Sequence, residues 1–434
     1  IPVDPSLPPA DAAKWIRDSK ATHLAITSDL LNQARELVQN ERLNIPIIEI
    51  EKKRGGEYDT SFTPPPENTP KETDVILLLR TGGTSGKPKF VAFTHKQLQA
   101  AAMAVKTHYR YMPTDRVLTQ MHWSHPFAFV HSMLAPLMNG ATLVIDHGLQ
   151  ALEFLDHLAE SRVTRLVGTP KFFLKLLVTC RNEKRLLPGM KSVSVGLGPL
   201  EPPIKKAFDV LGIKVLHVYG QTENLWTIAM DGMPGSDAPK DESEYIRGQC
   251  GKGLSGLKYK VLDDAGDQIE GADRRIGHLA VSGPTIMTNY PDLEKETKNA
   301  LRGTWLYTQD MAELIGEGED LRVRFICRRA DVFKVNGHIV DFHFIDMILR
   351  AVVGVQDAAA FAVKNAKDKL VLVCAAIKKA GVQISEKQIT EGAAAKLPTD
   401  QIPIAVAFTD EIPRDGGNNV NLHKLRGQFS GIAG

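Results

Sequence analysis

Cysteine is scarce and scattered. The 434 residues hold four, Cys180, Cys250, Cys327 and Cys374, and none lies near another in sequence. That spacing offers no zinc motif, and a disulfide framework does not suit a chain of this size. The expectation is a reducing, cytoplasmic setting. Charge of one sign is equally short. The 53 Lys and Arg against 51 Asp and Glu leave a formal +2, so nothing electrostatic asks for a nucleic-acid partner. No apolar run comes near the roughly 20 residues a bilayer demands, which predicts no transmembrane segment. The opening IPVDPSLPPADAAKW shows no basic patch followed by an apolar run, so no secretory leader is read there. What remains is 43% apolar and 24% charged. Those are the proportions of a globular chain with ample material for a large core.

The densest stretch is VILLLRTGGTSGKPKFVAFTHKQL, from Val75 to Leu98. Its five opening apolar residues are too few for a helix and predict a buried strand. Thr81, Gly82, Gly83, Thr84, Ser85 and Gly86 follow, then Lys87, Pro88 and Lys89. Three glycines let backbone approach a ligand closely. Successive amides in such a loop form an anion-binding nest, the hydroxyls of Thr81, Thr84 and Ser85 add donors, and Lys89 adds a charge. The apolar run resumes at Phe90, so the loop is held between two strands. A glycine-rich surface hairpin is the competing reading. The Walker pattern does not fit, because the lysine follows a proline and no helix follows at once.

In the chain before this loop, Ser28 ahead of Leu30, Leu31, Ala34, Leu37 and Val38 predicts a capped amphipathic helix, and residues 47–50 a short strand. TPPPENTPKETD, Thr63 to Asp74, reads as a polar linker. Beyond the loop, helices are predicted over 97–109, 131–138, 150–161, 171–177 and 203–211. Strands are predicted over 116–121, 141–146, 163–168, 192–196 and 213–219. Such alternation implies a largely parallel sheet covered on both faces, with ligands at the carboxyl ends of its strands. That rim would carry Thr169-Pro170, Gly196 to Leu200, and Tyr219 to Glu223.

VYGQTE ends the last of these strands. Tyr219 offers an aromatic face for a purine, and Glu223 a carboxylate to hold Mg²⁺ against phosphate oxygens. A turn with an accidental glutamate is the plainer alternative. His122, Trp123, His125, Phe127, Phe129 and His131 form a cluster after a strand. Three histidines invite a metal, but nothing else supports one, and packing or pocket lining is the better reading. Residues 248–314 turn strand-rich and predict a smaller β subdomain.

The loop resembles the phosphate loop of the adenylate-forming (AMP-binding) superfamily, of acyl-CoA synthetase and adenylation-domain type. That loop reads Thr-Ser-Gly-Thr-Thr-Gly-x-Pro-Lys-Gly. Thr81, Gly83, Thr84, Gly86, Pro88 and Lys89 match it in order and spacing, with Gly82 and Ser85 as small replacements and Phe90 in place of glycine. Tyr219 to Glu223 is similar to Tyr-Gly-x-Thr-Glu, and Gly196-Leu197-Gly198-Pro199-Leu200 to Gly-Gly-Ala-Pro-Leu. WLYTQD, Trp305 to Asp310, resembles Tyr-x-Thr-Gly-Asp with Gln309 for the glycine. Arg328, Asp331, Lys334 and Gly337 match Gly-Arg-x-x-Asp-x-x-Lys-x-x-Gly, with Cys327 for the first glycine.

The resemblance implies an α/β fold. A large N-terminal domain over 1–328 would hold parallel sheets covered by helices, with a β subdomain near 248–326. A small mobile α+β lid would follow over 329–434. It implies ATP bound by Thr81, Gly82, Gly83, Thr84, Ser85, Gly86, Lys89, Gly198, Pro199, Tyr219, Gly220, Gln221, Thr222, Asp310 and Arg328. Thr81, Lys89, Thr222 and Glu223 would act in catalysis, with Mg²⁺ on Glu223. His125 and Gly196 would line the acid pocket, with His217 and Trp226 as further candidates. The implied activity is ATP-dependent conversion of a carboxylic acid to an acyl-adenylate with release of pyrophosphate. The acyl group then passes to a thiol of coenzyme A or of a carrier protein's phosphopantetheine. In the family a further stretch precedes the equivalent of Ile1, so a chain shortened at that end is expected. Oligomeric state stays open, a homodimer included.

One departure matters. The family lid carries a lysine in Pro-x-x-x-x-Gly-Lys. Counting from Pro413, the glycine becomes Asn418 and the lysine Asn419. Loss of one preorganised donor costs on the order of 10²–10³ in rate, and Asn419 brings no charge. Lys424 would substitute if the loop were re-threaded. The alternatives are a nucleotide-binding protein on this scaffold without adenylation, and an enzyme completed by a partner chain.

Overall fold

The computed structural model describes the chain apart from residues 53–57, 61–70, 82–87, 147, 150, 199–201, 234–248, 272, 337, 415–419 and 430–434. It begins with the helix Pro9–Asp18, strand β1 (Leu24–Thr27) and the helix Leu31–Asn40, then β2 (Ile47–Lys52) and β3 (Tyr58–Thr60). Ser28 does not cap the second helix. It opens a short 3₁₀ turn, Ser28–Leu30, with no side-chain cap at either start.

The glycine-rich stretch lies as expected between antiparallel strands, β4 (Val75–Arg80) and β5 (Phe90–Thr94), with Arg80 opposite Phe90. The helix His95–Tyr109 follows at once. Thr94 caps it reciprocally with Gln97: the Thr94 amide donates to Gln97 Oε1 at 2.7 Å. Such a box satisfies two backbone donors that a helix start leaves unpaired.

The parallel strands are β6 (Arg116–Thr119), β7 (Thr142–Val144), β8 (Arg165–Gly168), β9 (Ser192–Val195) and β10 (Lys214–Tyr219), in spatial order β10-β9-β8-β6-β7. Side chains alternate across a strand, and both faces here are apolar. Val117, Val167 and Leu216 join one core with the helix His95–Tyr109. Leu118, Leu166 and Val215 join a second core with Phe154, Phe173 and Phe208 from the helices Ala151–Glu160, Pro170–Asn182 and Pro202–Val210. The amino ends of β6, β8 and β9 are clamped by charge. Fully buried Asp115 takes Arg165 Nη2 at 3.1 Å and Lys191 Nζ at 2.7 Å. Its carboxyl is held below the usual range because those partners outweigh the cost of burial.

The strand-rich part, expected as a β subdomain, continues the parallel sheet. β11 (Ala229–Met230) pairs antiparallel with β10. It carries the same sheet on through β12 (Gln249–Gly253), β17 (Arg322–Arg328), β16 (Trp305–Ile315), β14 (Arg274–Ser282) and β13 (Lys258–Leu262), with β15 (Leu301–Arg302) on β16. The result is one twelve-stranded sheet, parallel in one half and antiparallel in the other.

After Arg328 come a turn, Arg329–Asp331, and a short hairpin of β18 (Lys334–Val335) and β19 (His338–Ile339). Residues beyond it pack around their own sheet of β20 (Val355–Lys364), β21 (Leu370–Lys378) and β22 (Val406–Phe408). Ala358, Ala360 and Ala362 face Ile345 and Leu349 of the helix Phe342–Arg350. Ala359, Phe361 and Val363 face Leu425 of the helix Leu422–Gln428. At the junction Arg324 bridges carboxylates, Nε to Glu313 at 2.6 Å and Nη1 to Asp341 at 2.9 Å. Asp341 is also the cap of the helix Phe342–Arg350. Lys334 pairs with Asp264, whose other oxygen meets His278 Nε2 at 3.1 Å.

Candidate active site

Two groups of polar side chains gather where β10 ends. The first links the glycine-rich loop to VYGQTE. Thr81 and Lys89 close the neck of that loop: Thr81 N donates to the Lys89 carbonyl at 2.9 Å, and Lys89 N to Thr81 Oγ1 at 3.0 Å. Lys89 Nζ lies 5.0 Å from the centre of the Tyr290 ring. The Tyr290 hydroxyl donates to Glu223 Oε1 at 2.7 Å. Burial first, and then the Glu223 charge, push the Tyr290 hydroxyl far above its ordinary pKa, so it stays a donor. Thr222, Glu223 and Asn224 form a 3₁₀ turn in which Gln221 N donates to Asn224 Oδ1 at 3.0 Å. Gly82, Gly83, Thr84, Ser85 and Gly86 lie outside the described residues, as do Pro199, Gly337 and Asn419.

The second group spans the sheet. The Tyr219 hydroxyl donates to Asp310 Oδ2 at 2.5 Å, and Arg328 Nη1 to Oδ1 at 2.7 Å. Burial raises the Asp310 carboxyl, and Arg328 opposes that rise. A bulge in β16 aims this aspartate: between His278 and Ala280 on β14 the register slips, and Gln309 takes φ +62°. The residue standing where the family loop has glycine thus keeps the left-handed backbone that glycine favours. A left-handed residue with a branched Cβ is strained by about 1–2 kcal/mol. Gln309→Val is therefore expected to lose that much stability while Gln309→Gly stays within about 0.5 kcal/mol of the parent, as read from urea midpoints.

A wall of rings stands on the other side of β10. His125 and Phe127 each lie 5.4 Å from the Trp226 ring, and Phe127 lies 4.9 Å from His131. Phe127 rests on Gly196 at the end of β9, where an added Cβ would come within 2.8 Å of the ring. Gly198 is half-buried two residues further on. His131 lies in a π-helical turn, Phe129–Leu134. Its Nε2 meets the Trp226 carbonyl at 3.0 Å, which makes Nε2 the protonated nitrogen and leaves Nδ1 to accept from Tyr109 at 3.3 Å. Of the three histidines, His125 and His131 belong to this ring packing, whereas His122 is exposed and its Nδ1 meets Ser124 Oγ at 2.9 Å. His217 faces Asp231 at 3.0 Å, on the Tyr219 face of β10 by alternation.

Burial pushes His131 down to about 3 and His125 to about 4. Both are neutral in the fold, whereas in the unfolded chain they titrate near 6.5. The unfolded state then binds more protons between about pH 6.5 and 4, and stability falls as pH drops through that window. Fully buried His131 alone contributes a slope of up to ~1.4 kcal/mol per pH unit. Urea midpoints measured from pH 7.5 to 4.5 should decline accordingly, and less steeply in His131→Gln.

Lys424 is exposed on the helix Leu422–Gln428, which Asn421 caps. Its ammonium has no partner among the described residues, whereas Arg426, two residues on, pairs with Asp331 at 3.1 Å. The structure does not bring Lys424 to Glu223 or Asp310. Tyr290, which joins loop to carboxylate, is a site residue that none of the motifs above includes. It is placed by Thr288 and Asn289, which pair with Ala92 just beyond the loop.

These features define an α/β protein whose site lies at the carboxyl ends of parallel strands, the place such sheets reserve for ligands. The family model of AMP-binding enzymes matches residues 1–291, and the chain belongs to that family. It is 26% identical over 359 residues to a 3-hydroxybenzoate/4-hydroxybenzoate–CoA ligase of Thauera aromatica, covering 81% of this chain and 66% of that protein. The chain thus spans just under two thirds of that relative's length. The fold matches ATP-bound MatB from Rhodopseudomonas palustris with a TM-score of 0.80 at 20% identity, covering 99% of this chain and 83% of the other. It also matches an anthranilate CoA ligase in complex with anthranoyl-AMP, with a TM-score of 0.77 at 20% identity over 98% and 81% of the two chains.

Proposed function

We propose that the chain activates a carboxylic acid with ATP. The carboxylate attacks the α-phosphorus, the bond to the β-phosphate oxygen breaks, and pyrophosphate leaves an acyl-adenylate. The thiol of coenzyme A then takes the acyl group and releases AMP. Family membership and the relatives named CoA ligases support coenzyme A over a carrier-protein arm. The observation that carries the reading is the pair of clusters flanking the end of β10, Thr81–Lys89–Tyr290–Glu223 on one hand and Tyr219–Asp310–Arg328 on the other.

In this reading Tyr219 lies against adenine, Asp310 and Arg328 hold the ribose, and the loop closed by Thr81 and Lys89 takes the phosphates. Glu223 suits Mg²⁺, which binds through one or two carboxylates and the substrate's own phosphate oxygens. Glu223 Oε1 is engaged by Tyr290, and its second oxygen has no partner among the described residues. When bound, the ion would neutralise charge on the phosphates. No side-chain nucleophile is required, because positioning and preorganised donors carry such a transfer. Carboxylate-dependent exchange of labelled pyrophosphate into ATP, screened over short, long-chain and aryl acids, tests the proposal. Exchange with at least one acid is expected, and ATP binding without exchange across the whole panel would overturn it.

A further inference from the structure

We infer that Trp15, on the first helix of the chain, is a positioning residue for the glycine-rich loop and acts on ATP through the two residues that flank the loop's neck. The inference rests on the reading of that loop as the seat of the nucleotide's phosphates. The helix Pro9–Asp18 belongs to a small unit of its own. Ala13 and Ile16 pack with Leu43, and Arg17 Nη2 donates to the Glu41 carbonyl at 2.7 Å. Trp15 lies outside that cluster and reaches β4 and β5 instead. Its ring centre is 5.1 Å from the Arg80 guanidinium carbon and 6.3 Å from the centre of the Phe90 ring.

Those two residues face each other across the hairpin, Arg80 as the last residue of β4 and Phe90 as the first of β5. Opposite residues of an antiparallel pair share a face, so one indole covers both strands where the loop leaves them. The contact is made by the side chain itself. Trp15 is buried, at 6% exposure, and its Nε1 has no hydrogen-bond partner among the described residues. Ring contacts of the cation–π and tilted aromatic kinds hold the indole there.

One residue nearer the loop, Thr81 and Lys89 exchange two hydrogen bonds, and Lys89 sits over the Tyr290 ring at 5.0 Å. Successive side chains alternate across a strand, so Tyr290 lies against one face of the neck and Trp15 against the other. The distance between the strands at this neck sets how the loop's amides stand to a phosphate. Without the indole, the Arg80–Phe90 pair loses its cover and the neck is held from one face alone. A positioning group displaced by about 1 Å costs up to ~10²-fold in such sites.

The test is calorimetric titration of ATP into the full chain, with adenosine as the phosphate-free control. Trp15→Leu should weaken ATP more than about fivefold and leave adenosine within about twofold, a split that a general loss of structure would not give. Trp15→Phe keeps a ring against Arg80 and Phe90 and drops only the unpartnered N–H, so it should bind ATP more tightly than Trp15→Leu. A smaller loss in folded Trp15→Leu, an equal loss of ATP and adenosine, or a Trp15→Phe as weak as Trp15→Leu overturns the inference while acid activation stands. Should Trp15→Leu not fold, tryptophan emission decides. The change that inorganic pyrophosphate produces in the parent should fall by at least about half in Trp15→Phe, and a smaller fall overturns the inference. If the parent binds ATP no better than adenosine, the reading of the loop fails, and this inference with it.

Discussion

Glu223→Gln is expected to slow acid-dependent pyrophosphate release by on the order of 10²–10³, equivalent to about 3–4 kcal/mol of transition-state stabilisation. The amide keeps the shape of the carboxylate and can still accept the Tyr290 hydroxyl on its oxygen, so the 3₁₀ turn and its link to the glycine-rich loop survive. What is removed is the charge beside the phosphates. The loss should therefore fall on kcat, with denaturant midpoints unchanged. Tyr290→Phe separates the two roles. It leaves the charge and deletes one hydrogen bond, a change on the order of 1 kcal/mol. A Glu223→Gln enzyme within threefold of the parent rate would show that this carboxylate does not serve the reaction.

Gly220→Ala should be among the most damaging single methyls at the described glycines. A Cβ at this position would lie 2.3 Å from the Trp226 Cα, 2.5 Å from its carbonyl carbon and 2.9 Å from Thr227 N. All three atoms are backbone and cannot rotate aside. Relief would have to come from the bond between His131 and the Trp226 carbonyl, or from the Ile228 amide that donates to the Tyr219 carbonyl at 3.0 Å. Overpacking alone costs about 1–3 kcal/mol, and a broken buried hydrogen bond adds a similar amount. A loss of about 3 kcal/mol or more is expected in urea, together with loss of ATP binding. Gly196→Ala is the comparison. There the obstacle is the Phe127 ring, a side chain that can shift, so a smaller cost should follow.

The parallel half of the sheet was legible because its strands are short apolar runs separated by helices of the right period. The glycine-rich loop was legible because its residues have few other uses together. The continuity of the antiparallel half was not. It passes through β11, two residues whose pairing with β10 leaves no periodic trace in sequence. Ser28 looked like a cap, but the chain makes a 3₁₀ turn first and the helix starts at Leu31. Asp310 could be placed by resemblance alone, since a lone aspartate in WLYTQD gives no hint that Tyr219, 91 residues earlier, donates to it. The pairing of His217 with Asp231 could not be read from sequence either, since the hairpin from β10 to β11 is what brings Asp231 near. Trp226 is a pocket candidate by resemblance. Its backbone is placed by the close approach of Gly220 and by left-handed φ at Leu225 and Trp226, and residue types do not report that.

Arg328 is at once the partner of Asp310 and the last residue of β17, directly ahead of the turn Arg329–Asp331. Its carboxylate partner has two oxygens with about four acceptor sites, so a sugar hydroxyl can join the two hydrogen bonds already there. Occupancy of the ribose position would then be felt at the joint through one shared carboxylate.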